Sequence, residues 1–456
     1  MISSSVRPGT AGRRSLLPVV MLVGWVAVFF DGLDTFVYGT ALPGMLKDAE
    51  FALDPGFAGS IGSLSTFGML LGALSAGTIT GWVGRRWVVV ACCSIFSLAS
   101  GWCALAPDPA AFGAARFVAG LGLGGLLPIM LSLVSEFASG SRRNLSIGIL
   151  MTGHHMGGIA ASTVGLVLLE DSGWRSLFWV GVVPLVVAVP LAFWLMPESP
   201  AFLVSRGKLE KARDVAWRAG FERVPGEDGV FGAAARPAAG NGRWSALSDL
   251  FSQGRWALTL LFWVASFGGL LLVYGVSTWL PSLMENEGYN VSSSLMFQLV
   301  INIGGIAGML IAGTTSDRLG PVRVSTTWFL ATAGAIWALS IYLPIGITYA
   351  VVFLAGVFLF SGQTMVYAAV AHVFPTSSQA TAISWTTGIG RFGAVFGPWL
   401  GGQLLAAGMG GWGFAAFSLS AVVSMAALIG VAAILALQGR RRDPAPHDAA
   451  PEFLSR

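Results

Sequence analysis

Residues 313–320 read Gly-Thr-Thr-Ser-Asp-Arg-Leu-Gly, and residues 77–84, which lie 236 positions earlier (313 minus 77), read Gly-Thr-Ile-Thr-Gly-Trp-Val-Gly. The same offset carries Tyr38 onto Tyr274, and it holds without a gap over most of the two segments. A fixed offset of this length indicates an internal duplication. The chain therefore consists of two related halves.

The composition places both halves in a membrane. Of the 456 residues, 55% are hydrophobic and 11% are charged, and the mean hydropathy is +0.74. A soluble domain carries about 25% charged residues, so this chain has too few polar side chains to cover a surface in water. Its basic residues lie in short clusters between apolar segments, which argues against a nucleic-acid partner. Duplicated apolar halves are typical of transporters that bind their cargo between the halves.

Twelve apolar runs are long enough to cross a bilayer, which takes about 20 residues. In the first half they lie near 17–40, 57–80, 87–106, 110–136, 145–168 and 175–196. In the second half they lie near 256–282, 294–315, 323–343, 347–371, 380–406 and 412–437. We therefore predict an all-α membrane protein with twelve transmembrane helices in two pseudo-symmetric six-helix halves.

The predicted domain boundaries follow from these runs. The first half is residues 1–196 and the second half is residues 256–437. Between them, residues 197–255 are predicted to form a polar linker loop with a short helix at 209–218, and residues 438–456 form a polar tail.

Lysine and arginine predict the orientation, because loops on the cytoplasmic side carry an excess of both. Lys47 and Arg175 are the basic residues in the connections on one side. The other side holds Arg7, Arg13, Arg14, Arg85, Arg86, Arg142, Arg143, the linker cluster, Arg318, Arg323 and Arg440 to Arg442. We call these sides the opposite face and the basic face. The prediction is a multi-pass protein of the cytoplasmic (inner) membrane with both termini in the cytoplasm.

The arrangement resembles the major facilitator superfamily, in which a Gly-x-x-x-Asp-Arg-x-Gly loop follows the second span of a half. That loop is intact at residues 313–320, whereas Gly81 and Trp82 replace the acid and the base in the first half. In the superfamily the loop aspartate helps to latch the cytoplasmic side. The resemblance thus implies a major facilitator fold, and it leaves open whether the altered first loop is still a latch.

Shorter motifs are similar to those of the aromatic acid:proton symporter family. Asp31-Gly-Leu-Asp34 resembles its Asp-Gly-Tyr-Asp signature in the first span, and residues 388–402, rich in glycine around Arg391, resemble its eleventh span. The Pro-Glu-Ser-Pro stretch at 197–200 is shared with sugar porters. The resemblance implies a proton-coupled symporter that imports a small aromatic carboxylate, of the benzoate or hydroxybenzoate class, by alternating access.

Asp31 and Asp34 are the candidate proton-coupling residues. Their spacing of three places both on one side of a helix, and carboxylates at membrane depth normally face a cavity or a partner. Two carboxylates close together do not ionise together readily, so one of them is suited to carrying a proton. The alternative is a purely structural role, either capping a helix break at Gly32 or pairing with a base. The offset aligns them with Phe267 and Leu270, so the acids occur in one half alone.

Arg391 is the candidate ligand for an anionic cargo, because a guanidinium stays charged and binds a carboxylate through two parallel hydrogen bonds. The alternative is that it neutralises Asp31 or Asp34. The offset aligns it with His155, which we favour over His154 as a cavity residue. A packed histidine is an equal alternative for His155.

Further candidates rest on depth alone. The predicted substrate-binding set is completed by Arg116, Tyr38, Trp385 and Phe392. The predicted gating set consists of Glu136, Arg142, Asp317 and Arg318. For any one of the aromatic residues, core packing is a better explanation than contact with the substrate. The gating charges are equally explained by solvated helix ends.

Other classes of protein are less compatible with the sequence. A drug/proton antiporter of the same superfamily usually has Gly-x-x-x-Gly-Pro-x-x-Gly-Gly in span 5, and the stretch at 153–158 lacks the proline. An importer of another organic acid or of a sugar stays open. A membrane sensor with this fold would carry an added soluble domain, and an enzyme would need a nucleophile or a cofactor loop. We expect no cofactor and no metal, with the cargo, protons and lipid as partners of a monomer.

Overall fold

The computed structural model describes residues 16–138, 142–219, 221, 250–251 and 255–442, and its regular elements there are helices. The helices of the first half are Leu17–Lys47, Pro55–Val83, Arg85–Leu105, Pro109–Phe137 and Arg142–Val180. The last of these is broken at Gly173, where φ is 70°. Its end, together with Val183–Leu185 and Ala188–Leu195, forms the sixth span.

The second half repeats this order of helices. Its six spans are Trp256–Asn286, Val291–Leu319, Pro321–Ala338, Ile345–Val373, Thr376–Ala406 and Gly413–Arg442. Nine described segments are long and apolar enough to cross a membrane, and one of them, Leu145–Leu195, contains both the fifth and the sixth spans. The ninth and eleventh spans complete the predicted set of twelve. The predicted fold class is confirmed.

The repeated loop has a conformational role in both halves. Gly84 and Gly320 end the two copies of the loop, and their φ angles are 100° and 82°. Glycine adopts these values without the steric cost that a side chain imposes. Each glycine therefore ends one span and begins the next without an intervening loop.

Two short helices follow the first half, Pro200–Ser205 and Leu209–Ala219. The second of them confirms the helix predicted in the linker. Most of the remaining linker and the tail from residue 443 onward lie outside the described residues. The same is true of the N-terminal arginines Arg7, Arg13 and Arg14.

The two halves contact each other mainly near the opposite face, where spans 1, 2 and 5 pack on spans 7, 11 and 8. A β-carbon on Gly59 would lie 2.8 Å from the carbonyl oxygen of Pro398 and 2.9 Å from the α-carbon of Gly402. Lys47 and Glu285 form an ion pair between the halves at the same face. Small residues permit this close helix contact.

Toward the basic face the halves separate. No described hydrogen bond or ion pair joins the two halves there. Gly77, Gly148, Gly313 and Gly388 lie in the basic-face parts of spans 2, 5, 8 and 11, and a β-carbon at each would have no neighbour within 4 Å. The described contacts between the halves therefore lie toward the opposite face, and we call the space between the halves on the basic-face side the vestibule.

Candidate functional site

Asp34 forms a buried ion pair with Arg116 of span 4. One guanidinium nitrogen of Arg116 lies 2.8 Å from the Asp34 carboxylate, and the two side chains are 2% and 1% exposed. Ser100 of span 3 donates a hydrogen bond to the other carboxylate oxygen. Arg116 also donates to Ser65 at 3.3 Å. Asp34 thus joins four spans of the first half, and its charge is balanced inside that half.

This pairing changes the predicted roles of Arg116 and Tyr38. Arg116 is bound to Asp34, and its guanidinium carbon lies 5.7 Å from the centre of the Tyr38 ring. The Tyr38 hydroxyl donates to the carbonyl oxygen of Ala58 at 2.7 Å, and both side chains are buried. The structure therefore places both residues in the packing of the first half, away from the vestibule, because a buried cation requires a close anion.

Asp31 has a different partner from Asp34, although one helical turn separates them. Its carboxylate lies 3.1 Å from Nδ1 of His154 in span 5. The Asp31 side chain is 6% exposed, while that of His154 is 20% exposed. This acid therefore pairs with an imidazole that solvent can reach, whereas Asp34 pairs with a permanent cation.

His155 differs from the sequence expectation. It is buried, its Nδ1 lies 3.1 Å from the side-chain oxygen of Asn302 in span 8, and its ring centre lies 4.7 Å from that of Phe360. It packs between the two halves and does not face the vestibule. Adjacent helical residues point about 100° apart, so one of the two histidines had to turn into a helix interface.

The lipid-facing side of span 5 shows where His154 points. Leu145, Met156 and Val167 are exposed apolar residues of this span. At 100° per residue they lie about 180–220° around the helix from His154. His154 is therefore directed into the protein, between the sides of span 5 that contact spans 1 and 8.

Arg391 lies midway along span 11 and faces the first half. On the same helix, Val395 accepts a hydrogen bond from Ser63 of span 2 at 2.6 Å through its carbonyl oxygen. One guanidinium nitrogen of Arg391 lies 3.5 Å from the Tyr274 hydroxyl in span 7. Arg391 forms no ion pair with any acid in the described part of the chain. The alternative that it neutralises Asp31 or Asp34 is therefore not realised in this conformation.

Tyr274 interacts electrostatically with both the cation and the acid. Its hydroxyl lies within electrostatic range of Arg391, Asp31 and Tyr367. Asp31 and His154 belong to the first half, whereas Arg391, Tyr274 and Tyr367 belong to the second. The candidate site is thus an acid–imidazole pair facing a guanidinium and two phenols, near the middle of the bundle.

Trp385 and Phe392 do not join Arg391. They are 41% and 53% exposed, and Trp385 stacks on Trp263 at 5.9 Å. Trp263 and Phe267 line an apolar groove of about 670 Å³ between spans 7, 11 and 12. This groove is on the outer side of the second half. Phe392 is one position and Trp385 six positions from Arg391, so their side chains point about 100° and 120° away from it around the helix axis. Neither ring can therefore share the direction of Arg391.

Glu136 belongs to a polar cluster at the basic face. It forms an ion pair with Arg85, accepts hydrogen bonds from the Ser199 hydroxyl at 2.8 and 2.9 Å, and accepts one from the backbone N–H of Ala201 at 2.9 Å. Glu198 accepts from the backbone N–H of Arg85 at 2.8 Å. The Pro-Glu-Ser-Pro stretch is therefore joined to spans 3 and 4 of its own half.

The other predicted gating residues are not part of this cluster. Among the described residues, the ion-pair partner of Glu136 is Arg85, which is not in the predicted gating set. The side chain of Arg142 lies outside the described residues. Asp317 and Arg318 are exposed and have no hydrogen bond or ion pair to other described residues, as expected where the halves are apart.

The sequence prediction missed the roles of two kinds of residue. His154 was passed over because the 236-residue offset aligned its neighbour with Arg391. Gln298 and Asn302 are fully buried polar residues of span 8, and Gln298 donates to the carbonyl oxygen of Phe36 across the halves at 3.3 Å. Two amides four residues apart in an apolar span were a signal for an interface between helices.

No group of three or more His, Cys, Asp or Glu side chains that could hold a metal ion occurs in the part of the chain described by the structure. The donors that meet in the vestibule are one carboxylate, one imidazole, a guanidinium and phenols. This set is suited to binding an anion and to moving protons.

Comparison with known proteins places the chain in a family. A sequence model of the Major Facilitator Superfamily matches residues 24–398 and 303–455. The chain is 36% identical to a gentisate transporter of Corynebacterium glutamicum, over 92% of this chain and 88% of that protein. It is 33% identical to a benzoate transport protein of Acinetobacter baylyi, over 92% and 90% of the two chains. It is 32% identical to a 4-hydroxybenzoate transporter of Pseudomonas aeruginosa, over 91% of each.

Solved structures show the same fold at lower identity. The partially occluded, inward-open form of the xylose transporter from E. coli has a TM-score of 0.69 at 17% identity, and the match covers 90% of this chain and 96% of that one.

Proposed function

Because the chain belongs to the major facilitator superfamily, and is therefore a membrane transporter and not an enzyme, we propose that it imports a small aromatic carboxylate of the benzoate or hydroxybenzoate class together with protons. The relatives support the class of cargo, since proteins named for gentisate, benzoate and 4-hydroxybenzoate transport match about nine-tenths of the chain. The membrane is the cytoplasmic membrane, with the basic face inside.

The observation that carries this proposal is that Arg391 has no acidic partner among the described residues. A charge near the middle of a membrane is costly and normally has a partner or a functional role. Arg116 of span 4 forms an ion pair with Asp34, whereas Arg391 has a phenol at 3.5 Å and no described acid. A carboxylate cargo would supply the missing anion and could bind both arms of the guanidinium.

Asp31 is the proposed proton carrier. Its carboxylate pairs with the partly exposed imidazole of His154 and with no permanent cation in the described part of the chain. Asp34 is held by a permanent cation and is better suited to maintaining the first half. The two aspartates of the motif would then have separate roles.

Proton coupling has an energetic reason. Moving an anion into a cell that is negative inside costs about 2.3 kcal/mol per charge at 100 mV. One proton carried with each carboxylate cancels that cost, and a second proton lets the membrane potential drive uptake. In the proposed cycle, the vestibule loads from the opposite face and releases cargo and proton from the conformation described here.

Uptake of labelled cargo tests the proposal. Cells that express the protein should accumulate benzoate or hydroxybenzoates above the level of cells without it, and a protonophore should abolish the difference. Competition by xylose or by aliphatic acids serves as the control for a sugar or organic-acid importer. Uptake that is indifferent to the protonophore, or that is blocked by a sugar, would contradict the proposal.

A further inference from the structure

We infer that His154 recognises a ring hydroxyl group of the cargo through its Nε2 atom. The site would then favour aromatic acids that carry a hydroxyl meta or para to the carboxylate. This inference rests on the proposed function, since it assumes that Arg391 binds the carboxylate of an aromatic acid.

The first observation is that one of the two ring nitrogens of His154 already has a hydrogen-bond partner. Nδ1 lies 3.1 Å from the Asp31 carboxylate, while Nε2 has no hydrogen-bond partner among the described residues. When the neutral ring carries its proton on Nδ1 and donates a hydrogen bond to Asp31, Nε2 is an acceptor. The carboxylate thus holds the ring in one orientation and leaves one nitrogen for an external donor.

The second observation is the direction of the ring. His154 is 20% exposed, and it points away from the lipid-facing side of span 5 that Leu145 and Val167 mark. The Phe36 ring lies 5.6 Å from the His154 ring and is itself buried. The His154 ring is therefore partly open on the inner side of span 5, next to a buried aromatic side chain.

The third observation is that Arg391 and His154 belong to different halves of the protein. A cargo whose carboxylate binds Arg391 in the second half must extend toward the first half to reach His154. A para hydroxyl points directly away from the carboxylate, and a meta hydroxyl is turned partly away. An ortho hydroxyl stays beside the carboxylate on the Arg391 side, so it cannot serve this contact.

The site would favour hydroxybenzoates over benzoate because benzoate leaves Nε2 of His154 without a hydrogen bond. When the vestibule closes around the cargo, Nε2 loses water, and an acceptor left without a donor is destabilising. A phenolic O–H supplies that donor, whereas the unsubstituted ring does not. One such hydrogen bond corresponds to a change in affinity of roughly tenfold.

The test is uptake by two variants of His154 that separate its nitrogens. An asparagine nitrogen can donate to Asp31 in place of Nδ1 but leaves no acceptor at the position of Nε2, whereas the amide oxygen of a glutamine can lie near that position and accept from the phenol. We expect His154→Asn to raise the ratio of the KM for 4-hydroxybenzoate to the KM for benzoate by roughly tenfold. We expect His154→Gln to restore much of the preference, and the ratio for 2-hydroxybenzoate to be unchanged in both variants.

The adjacent histidine provides the matched control. His155→Asn alters a buried ring bonded to Asn302, so it should change the KM values of all four acids (benzoate and its 2-, 3- and 4-hydroxy derivatives) by the same factor. If His154→Asn also changes all four equally, His154 is a structural residue and the inference is wrong.

A measurement on the wild-type protein covers the case in which both variants fail to fold. 4-Methoxybenzoate has the oxygen of 4-hydroxybenzoate but no proton to donate. It should therefore compete with benzoate uptake roughly tenfold less well than 4-hydroxybenzoate does. Equal competition would overturn the inference while leaving the proposed function intact. Absence of uptake of every aromatic acid would instead overturn the proposed function.

Discussion

At the scale of single residues, two carboxylates in one span have different surroundings. Asp34 is joined to a permanent cation and a hydroxyl inside the first half. Asp31 faces a partly exposed imidazole. A buried permanent ion pair holds helices together, whereas a pair with a titratable member can change its charge. The two aspartates therefore predict different mutant phenotypes.

Asp31→Asn is expected to abolish uptake while the amount of protein in the membrane stays normal. The amide keeps the shape of the carboxylate and can still bond to His154, but it cannot take up a proton. Uptake of labelled benzoate, with immunoblots of isolated membranes, tests this. A variant that accumulates cargo as the wild type does would exclude Asp31 as the proton carrier.

Arg116→Met is expected to reduce the free energy of unfolding by about 3–5 kcal/mol, because it leaves the buried Asp34 charge without its partner. The double variant Asp34→Leu with Arg116→Met removes both charges and should recover most of that loss. Thermal unfolding of the purified protein in detergent measures both. Equal destabilisation by the single and the double variant would show that the loss of the Asp34–Arg116 ion pair does not cause the lower free energy of unfolding.

Arg391→Lys is expected to raise the KM for aromatic carboxylates at least tenfold. The ammonium keeps the charge but cannot form two parallel hydrogen bonds with one carboxylate. Initial uptake rates over a range of concentrations measure the effect. An unchanged KM would mean that the carboxylate binds elsewhere.

At the scale of the helices, rotation about the helix axis decides which residues meet. Span 11 directs Arg391 toward Tyr274 of span 7, whereas Trp385 and Phe392 are exposed on other sides of the same helix. Span 5 directs His154 inward and His155 toward span 8. The spacing of residues predicts the angle between two side chains of one helix, but not which neighbour either side chain meets.

The contact between spans 2 and 11 predicts how the conformation can be changed. Gly59→Leu is expected to prevent closure at the opposite face, because its β-carbon would lie 2.8 Å from the Pro398 carbonyl oxygen. Uptake should be lost, and cysteines introduced near Lys47 should react faster with a membrane-impermeant thiol reagent. Gly334→Leu is the matched control, since a β-carbon there meets nothing within 4 Å. If Gly59→Leu behaves like this control, the contact is not needed for closure.

At the scale of the whole molecule, the described conformation explains the exposed loop charges. Contacts between the halves are concentrated at the opposite face, and Asp317 and Arg318 of the intact loop are without partners among the described residues. The altered first loop lies beside the Arg85–Glu136–Ser199 cluster, which joins the first half to the start of the linker and includes no described residue of the second half. Closure of the basic face would require new contacts between the halves, for which these charges are available.

The local sequence was sufficient for the architecture and for the inventory of unusual residues. The offset of 236 residues, the twelve apolar runs and the charges within them depend on composition and spacing, and these are properties of the chain before it folds. The helix wheel also follows from spacing, because every α-helix turns by about 100° per residue. The fold and the presence of membrane-buried acids and arginines could therefore be predicted.

The choice of partners was decided by packing in three dimensions. Arg116 could have paired with either aspartate, and either histidine could have faced the vestibule, since the alternatives differ by less than one helical turn. The rotation of each span against its neighbours, set by close contacts such as that of Gly59 with Gly402, selected Asp34 for Arg116 and His154 for Asp31. These contacts join residues far apart in the chain, so no local pattern contains them.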